Sequence, residues 1–229
     1  KGYTQKKALT RKKSKKFQPL TPTVYRYADV FRKLGFPISF EKHQFPEKKE
    51  LPNRLLTLYQ SSEKKWIGIA PFAAHQGKMY PLDLMQQIIN FLQKDHQVFL
   101  FGAGQKEKER LEVWEKAYDN VFSTVGKIDF KEQLDLMTYL DLMISMDSAN
   151  GHIAANMGIR VLTLWGMTHP FCGFSPFNQP IEYSLTLDRN EYPLIPTSVY
   201  GNKIPLGYED AFRSLEPKVV IEKVLELIK

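Results

Sequence analysis

Cysteine is almost absent from this 229-residue sequence. Cys172 stands alone, which excludes an intrachain disulfide framework and a zinc site built on thiolates. Long apolar runs are missing as well. The longest stretch free of Lys, Arg, Asp and Glu covers residues 161–181, and Pro170, Pro176 and Pro180 within it rule out a membrane-spanning helix. No signal-peptide pattern opens the chain. It begins at Lys1, and a longer parent protein is expected. Acid is missing from residues 1–16, which carry eight lysines and arginines. The remaining residues hold 24 basic side chains against 25 acidic ones, so the net charge of +7 belongs to this first segment. Such a run reads as solvated chain or as a contact for anionic lipid. Nucleic acid is not the expected partner, because no aromatic pattern interleaves the lysines as strand stacking requires.

Several catalytic signatures are absent too. There is no Gly-x-Ser-x-Gly elbow, no His-x-x-x-His pair and no Asp-x-Asp, and Gly126-Lys127 lacks the rest of a Walker loop. No metal ligand set is expected.

What the sequence does contain is a regular alternation. Thr21-Pro22 reads as the start of an amphipathic helix with Val24, Tyr27, Ala28, Phe31 and Leu34 on one face, ended by Gly35 and Pro37. Residues 36–64 read as a connector with one short strand near 55–59. From Trp66 onward, apolar runs of strand length (66–70, 97–101, 121–124, 142–145 and 160–164) alternate with helical stretches. Those stretches start near Pro81, Gly104, Phe130 and Ala149, and a last helix follows Pro217. In the first, Met85, Ile88, Ile89 and Leu92 share a face; in the third, Phe130, Leu134 and Met137 are the expected buried stripe. Strand–helix alternation of this kind specifies an α/β fold, a Rossmann-like parallel sheet flanked by helices. The expected organisation is a basic arm over 1–20, a connector over 21–64 and the sheet domain over 65–229.

In such a sheet, ligands bind beyond the carboxyl ends of the strands. Five stretches fall there. Lys78, in the loop after the first strand, can serve as a point charge for a diphosphate or be an ordinary surface lysine. Gly102-Ala103-Gly104 resembles half of a dinucleotide fingerprint, with Glu107 where the third glycine would stand; Glu107 is either a dipole-favoured acid or a ribose acceptor. Gly126-Lys127 reads as a turn. Asp147-Ser148-Ala149-Asn150, with His152 a turn later, places two natural N-cap residues and a helix N-terminus at the ligand edge. Capping alone would explain them, and so would an anion seat. Gly166-Met167-Thr168-His169-Pro170 lines a pocket or turns the chain.

Taken in order, Ile67-Gly68-Ile69-Ala70-Pro71-Phe72-Ala73, Gly77-Lys78-Met79-Tyr80-Pro81, residues 98–102, Gly126-Lys127, Asp147-Ser148-Ala149 with His152, and Leu164-Trp165-Gly166-Met167-Thr168-His169-Pro170 resemble the carboxyl-terminal half of a glycosyltransferase family. That family, glycosyltransferase family 9, includes the ADP-heptose:lipopolysaccharide heptosyltransferases. The match covers about residues 66–182. Ala70 stands where the family has His, Phe72 and Ala149 where it has Gly, and Tyr80 where it has Trp. The resemblance implies the donor-binding domain of a GT-B enzyme, with 21–64 a remnant of the other half. Its reaction is inverting transfer of a heptose-like sugar from a nucleotide-diphosphate donor, expected to be ADP-linked, to a lipid-linked saccharide of the lipopolysaccharide core. No metal cofactor takes part. It implies donor-binding roles for Lys78, Glu107, Lys127, Asp147, Ser148, Ala149, Asn150 and His152. The catalytic base is expected in the missing half, so that this chain alone would not turn over. A cytoplasmic setting at the inner face of a Gram-negative inner membrane follows, with a peripheral contact to anionic lipid through the arm. Two other readings remain: a GT-B sugar-nucleotide epimerase, and a non-enzymatic module that binds nucleic acid or lipid through the arm.

Overall fold

The computed structural model describes residues 2–53, 55–56 and 64–229. Its centre is a six-stranded, all-parallel sheet made of β1 (Trp66–Ala70), β2 (Gln97–Leu100), β3 (Val121–Ser123), β4 (Leu142–Met146), β5 (Val161–Trp165) and β6 (Ser184–Thr186). The strands lie in the order β3-β2-β1-β4-β5-β6. Residues of β1, β2, β4 and β5 are buried almost throughout, which is why they read as continuous apolar runs rather than alternating ones. The order reverses between β2 and β4, on either side of β1, so a crevice opens where the β1 and β4 loops diverge. The three-residue β6 was not expected; it is too short and too polar to show a pattern.

Around the sheet lie α1 (Gly2–Thr10), α2 (Thr23–Lys33), α3 (Leu82–Leu92), α4 (Gly104–Ala117), α5 (Phe130–Met137), α6 (Ala149–Asn156) and α7 (Pro217–Leu227). The face predicted for α3 is buried in full: Met85, Ile88, Ile89 and Leu92 have no exposed surface and pack with Val220 and Val224 of α7. Each contributes on the order of 1.5–3 kcal/mol. On α5 the expected stripe is rotated. Phe130 is exposed, Leu136 and Met137 are buried, and the helix start is set by a reciprocal capping box in which Asp129 accepts from the Glu132 N–H and Glu132 from the Asp129 N–H.

The connector differs most from expectation. Of the strand expected near 55–59, residues 57–59 lie outside the described residues, while Leu55 and Leu56 are helical. Helix α2 starts at Thr23 rather than Pro22, because the Thr23 N–H and hydroxyl both donate to the Gly173 carbonyl at 2.8 Å. Its apolar face is exposed: no residue of α2 is buried, and Tyr27, Val30, Phe31 and Leu34 face solvent.

The basic segment, read as solvated chain or as a contact for anionic lipid, is folded against the body. Leu9 of α1 is buried with Cys172 and Val199. Lys15 donates to the Leu194 and Pro196 carbonyls at 2.7 Å, and burial, followed by the nearby Arg189, pushes its pKa down to about 8. Phe17 lies edge-on to His169 at 4.9 Å, beneath the Arg189 guanidinium at 3.5 Å from its ring. His169 is buried and its Nδ1 accepts from the Phe171 N–H; burial, then Arg189, pushes its pKa down to about 4. An imidazole that protonates at about 4 when folded and near 6.5 when unfolded favours the unfolded chain as pH falls through that window. The fold therefore loses about 2 kcal/mol of stability between pH 6.5 and 4 through this group. In urea titrations at pH 7 and 4.5, His169→Gln is expected to show the smaller pH loss; equal losses in both proteins would contradict the assignment.

Among the described residues, no helix is long and apolar enough to cross a membrane.

Candidate functional site: a cleft at the carboxyl edge of the sheet

The loops after β1, β2 and β4 and the start of α6 enclose a cleft of about 440 Å³. Seven of the eight sequence-predicted residues line it: Lys78, Glu107, Asp147, Ser148, Ala149, Asn150 and His152. The eighth, Lys127, does not. It is ion-paired with Glu115 of α4, which also accepts from the Ser123 N–H, so Lys127 braces the end of β3 instead of facing the cleft.

Asp147 follows β4 and is nearly buried. Of the two residues that could cap the helix, Ser148 holds the N-cap position, and its side chain makes no capping bond. Ser145 donates its hydroxyl proton to the Met146 carbonyl, so in the 3.2 Å contact between the two serines Ser148 is the donor. The first N–H groups of α6 are thus left without a side-chain acceptor and carry the positive end of the helix dipole into the cleft. Asp147 instead faces Lys78: Nζ lies 3.0 Å from Oδ2, with side chains 15% and 5% exposed, close enough for an ion pair but not aligned as a hydrogen bond. An ammonium has three protons, so at most one is turned to Asp147 and the others are available to a ligand.

Lys78 owes its position to close backbone packing. The Met167 N–H donates to the Gly77 carbonyl at 2.7 Å, tying the β1 loop to the β5 loop. A β-carbon on Gly77 would sit 2.5 Å from the Gly201 carbonyl oxygen and 2.8 Å from Met167 Cγ. Gly201 has φ +72°, and a β-carbon there would fall 2.2 Å from Lys78 Cγ. The stem of Lys78 therefore runs across Gly201 to reach the cleft.

Glu107 sits in the first turn of α4, and one of its oxygens accepts from the Ala103 N–H at 2.7 Å. It holds the Gly102-Ala103-Gly104 turn shut, and it also faces the cleft. His152 lies a turn into α6; burial first, then Lys78, lowers its pKa against an opposing effect of Asp147, so it is neutral at pH 7. The remaining wall is apolar and includes Phe72, Phe174, Val199 and Tyr200. The last three were not anticipated. They come from irregular loops, where neither helical nor strand periodicity marks a residue. The loop at Gly166–Pro170 is not among the residues that line this cleft, and Thr168 and His169 are buried.

Chemically, the cleft joins, among the described residues, one cation, a set of N–H donors without a side-chain acceptor, two carboxylates and aromatic walls. That combination suits a ligand with a phosphate at one end and hydroxyl groups and a ring at the other. Among the described residues no group of three or more His, Cys, Asp or Glu side chains is arranged to hold a metal ion.

Solved structures share this fold. The chain superposes on a glycosyl transferase family 9 protein from Veillonella parvula with a TM-score of 0.70, 17% identity, and coverage of 91% of this chain and 60% of that one. It superposes on the E. coli heptosyltransferase WaaC with ADP with a TM-score of 0.60, 16% identity, and coverage of 89% and 56%. For the iron-containing dodecameric glycosyltransferase TibC of enterotoxigenic E. coli the TM-score is 0.53 at 15% identity, with coverage of 89% and 55%. The chain thus spans between half and two thirds of the length of these structures. No match was found among curated protein sequences. The described sheet and helices have the GT-B glycosyltransferase fold of these neighbours. The sequence profile of glycosyltransferase family 9 (heptosyltransferase) matches residues 1–201, and the chain belongs to that family.

Proposed function

We propose that this chain is the donor-binding part of an inverting glycosyltransferase that moves a heptose-like sugar from an ADP-linked donor to a saccharide acceptor of the lipopolysaccharide core. One observation carries the reading: Lys78, Asp147 and the uncapped start of α6 meet in a single cleft. The family supports sugar transfer over an epimerase or an anion-binding module, and the presence of ADP in the solved WaaC structure supports an adenine nucleotide.

In this reading the diphosphate lies against Lys78 and the first N–H groups of α6. As the acceptor hydroxyl attacks the anomeric carbon from the opposite face, the sugar–oxygen bond breaks and charge gathers on the leaving phosphate. Fixed donors and the Lys78 ammonium meet that charge without reorganising. Metal is not required for this step. Glu107 and Asp147 accept hydroxyls of ribose or sugar, and neutral His152 packs the turn. Lys127 has no part in donor binding. The base that takes the acceptor proton is supplied from outside these residues. Lys12 and Lys13, which remain exposed, give the protein a peripheral contact with the anionic inner face of a bacterial inner membrane, on the cytoplasmic side.

Calorimetry with ADP, AMP, adenosine, UDP and GDP tests the donor assignment. ADP is expected to bind at least tenfold more tightly than AMP, since the second phosphate adds charge-assisted bonds worth about 1.5–3 kcal/mol. Binding of adenosine as tight as that of ADP would overturn it, as would no binding of any nucleotide by folded protein.

A further inference from the structure

The loops that supply Phe174, Val199 and Tyr200 to the donor cleft are both anchored by the segment that follows α1. On one loop, Lys15 Nζ donates to the Leu194 and Pro196 carbonyls at 2.7 Å each, and Arg189 Nε donates to the Ile195 carbonyl between them at 2.9 Å. Burial, and then the charge of Arg189, oppose an ammonium at this point. The carbonyl dipoles that offset them fix Lys15 and the backbone of residues 194–196 against each other. On the other loop, the Leu20 N–H donates to the Phe171 carbonyl at 2.9 Å, and the Phe17 ring lies 4.7 Å from that of Phe171.

The Lys15 anchor also leads to Lys78. One residue beyond Pro196, the Thr197 N–H donates to the Met167 carbonyl at 3.0 Å, and the Met167 N–H donates to the Gly77 carbonyl at 2.7 Å. Gly77 precedes Lys78, whose stem passes over Gly201, further along the loop that Lys15 holds. A displacement of Pro196 therefore reaches Lys78 by two routes, one of backbone hydrogen bonds and one of direct contact. The anchor lies outside the main core. Leu9, Cys172 and Val199 form a small cluster apart from the two that contain the sheet residues, so a change at Lys15 moves the wall and leaves the sheet folded.

We propose that Lys15 is a positioning residue for the donor cleft: by holding the Leu194 and Pro196 carbonyls it sets, through Thr197, Met167 and Gly77, where the Lys78 ammonium stands. The proposal rests on the donor reading above and adds to it a side chain outside the cleft lining. Because Lys78 is the group that meets the diphosphate, loss of the anchor falls on the second phosphate more than on the nucleoside.

Calorimetry with ADP and AMP on the whole chain tests this, together with amide hydrogen exchange in the absence of nucleotide. Lys15→Met is expected to bind ADP about tenfold more weakly and AMP less than about threefold more weakly. Lys15→Arg, which returns charged N–H donors to the two carbonyls, is expected to recover most of the ADP affinity. Lys16→Met, at the exposed neighbouring position, is expected to change neither. In Lys15→Met the Thr197 and Met167 amides are expected to exchange about tenfold faster, while the Phe101 amide, bonded to the Ile69 carbonyl, keeps its rate. Folded Lys15→Met that bound ADP as tightly as the unaltered chain would overturn the proposal. Equal losses for ADP and AMP would do the same, since a merely structural role predicts them, as would unchanged exchange at Thr197 and Met167. Failure of the unaltered chain to bind ADP would fall on the donor reading instead, and the exchange rates would still decide whether Lys15 holds this path.

Discussion

Replacing Lys78 by Met is expected to weaken binding of a nucleoside diphosphate by about 100-fold and to destabilise the fold by about 3 kcal/mol. The two effects have different origins. Affinity falls because, among the described residues, the ammonium is the one cation of the cleft that faces the α6 N-terminus. Stability falls because Asp147, 5% exposed, is left as an unpaired buried carboxylate. A second substitution, Asp147→Asn, removes that charge. The double variant Lys78→Met/Asp147→Asn is therefore expected to recover most of the stability and little of the affinity. Urea unfolding and calorimetry on the same three proteins separate the terms. Recovery of both together would mean that Lys78 matters only as the partner of Asp147.

Gly201→Ala is expected to cost about 3–4 kcal/mol, of which about 1–2 is the left-handed backbone and the rest overpacking, and to lower nucleotide diphosphate affinity about tenfold. The new methyl group would lie 2.2 Å from Cγ and 2.6 Å from Cδ of Lys78, atoms in the middle of a side chain whose end is held by Asp147. Lys78 must leave its path or the 201 loop must lift. Gly207→Ala is the control, since Gly207 has φ +81° and no atom within 4 Å of the added carbon. It is expected to pay the backbone cost alone and to bind nucleotide as before. If both variants bound nucleotide equally well, the close packing at Gly201 would not be what positions Lys78.

These expectations show which parts of the structure the sequence carried. The sheet was legible because β1, β2, β4 and β5 are buried on both faces and so appear as unbroken apolar runs. The residues that line the cleft were legible because the ends of parallel strands are where loops converge, and seven of the eight singled out meet there. Lys127 was misplaced because a lysine after a strand looks the same whether it turns to a ligand or, as here, to a glutamate on the next helix. Phe174, Val199 and Tyr200 were invisible for a different reason: they reach the cleft from long loops, where burial leaves no period in the sequence. The same holds for the basic segment. Its lysines dominate the composition, yet its place is fixed by a few contacts, Leu9 against Cys172 and Lys15 on two carbonyls, that composition does not reveal. For α2 the pattern was correct. The apolar stripe is present, but an amphipathic helix announces a face to be covered, and among the described residues that face is open.

Donor binding by this chain turns on where a diphosphate sits. A crystal structure of this chain with ADP measures that directly. The phosphates are expected within hydrogen-bond distance of Lys78 Nζ and of the backbone N–H groups of residues 149–151, with the nucleoside toward Glu107 and the aromatic wall. Phosphates bound instead between α1 and residues 198–203, where Lys6, Lys7 and Lys203 line a second cleft, with Lys78 still turned only to Asp147, would contradict the donor reading.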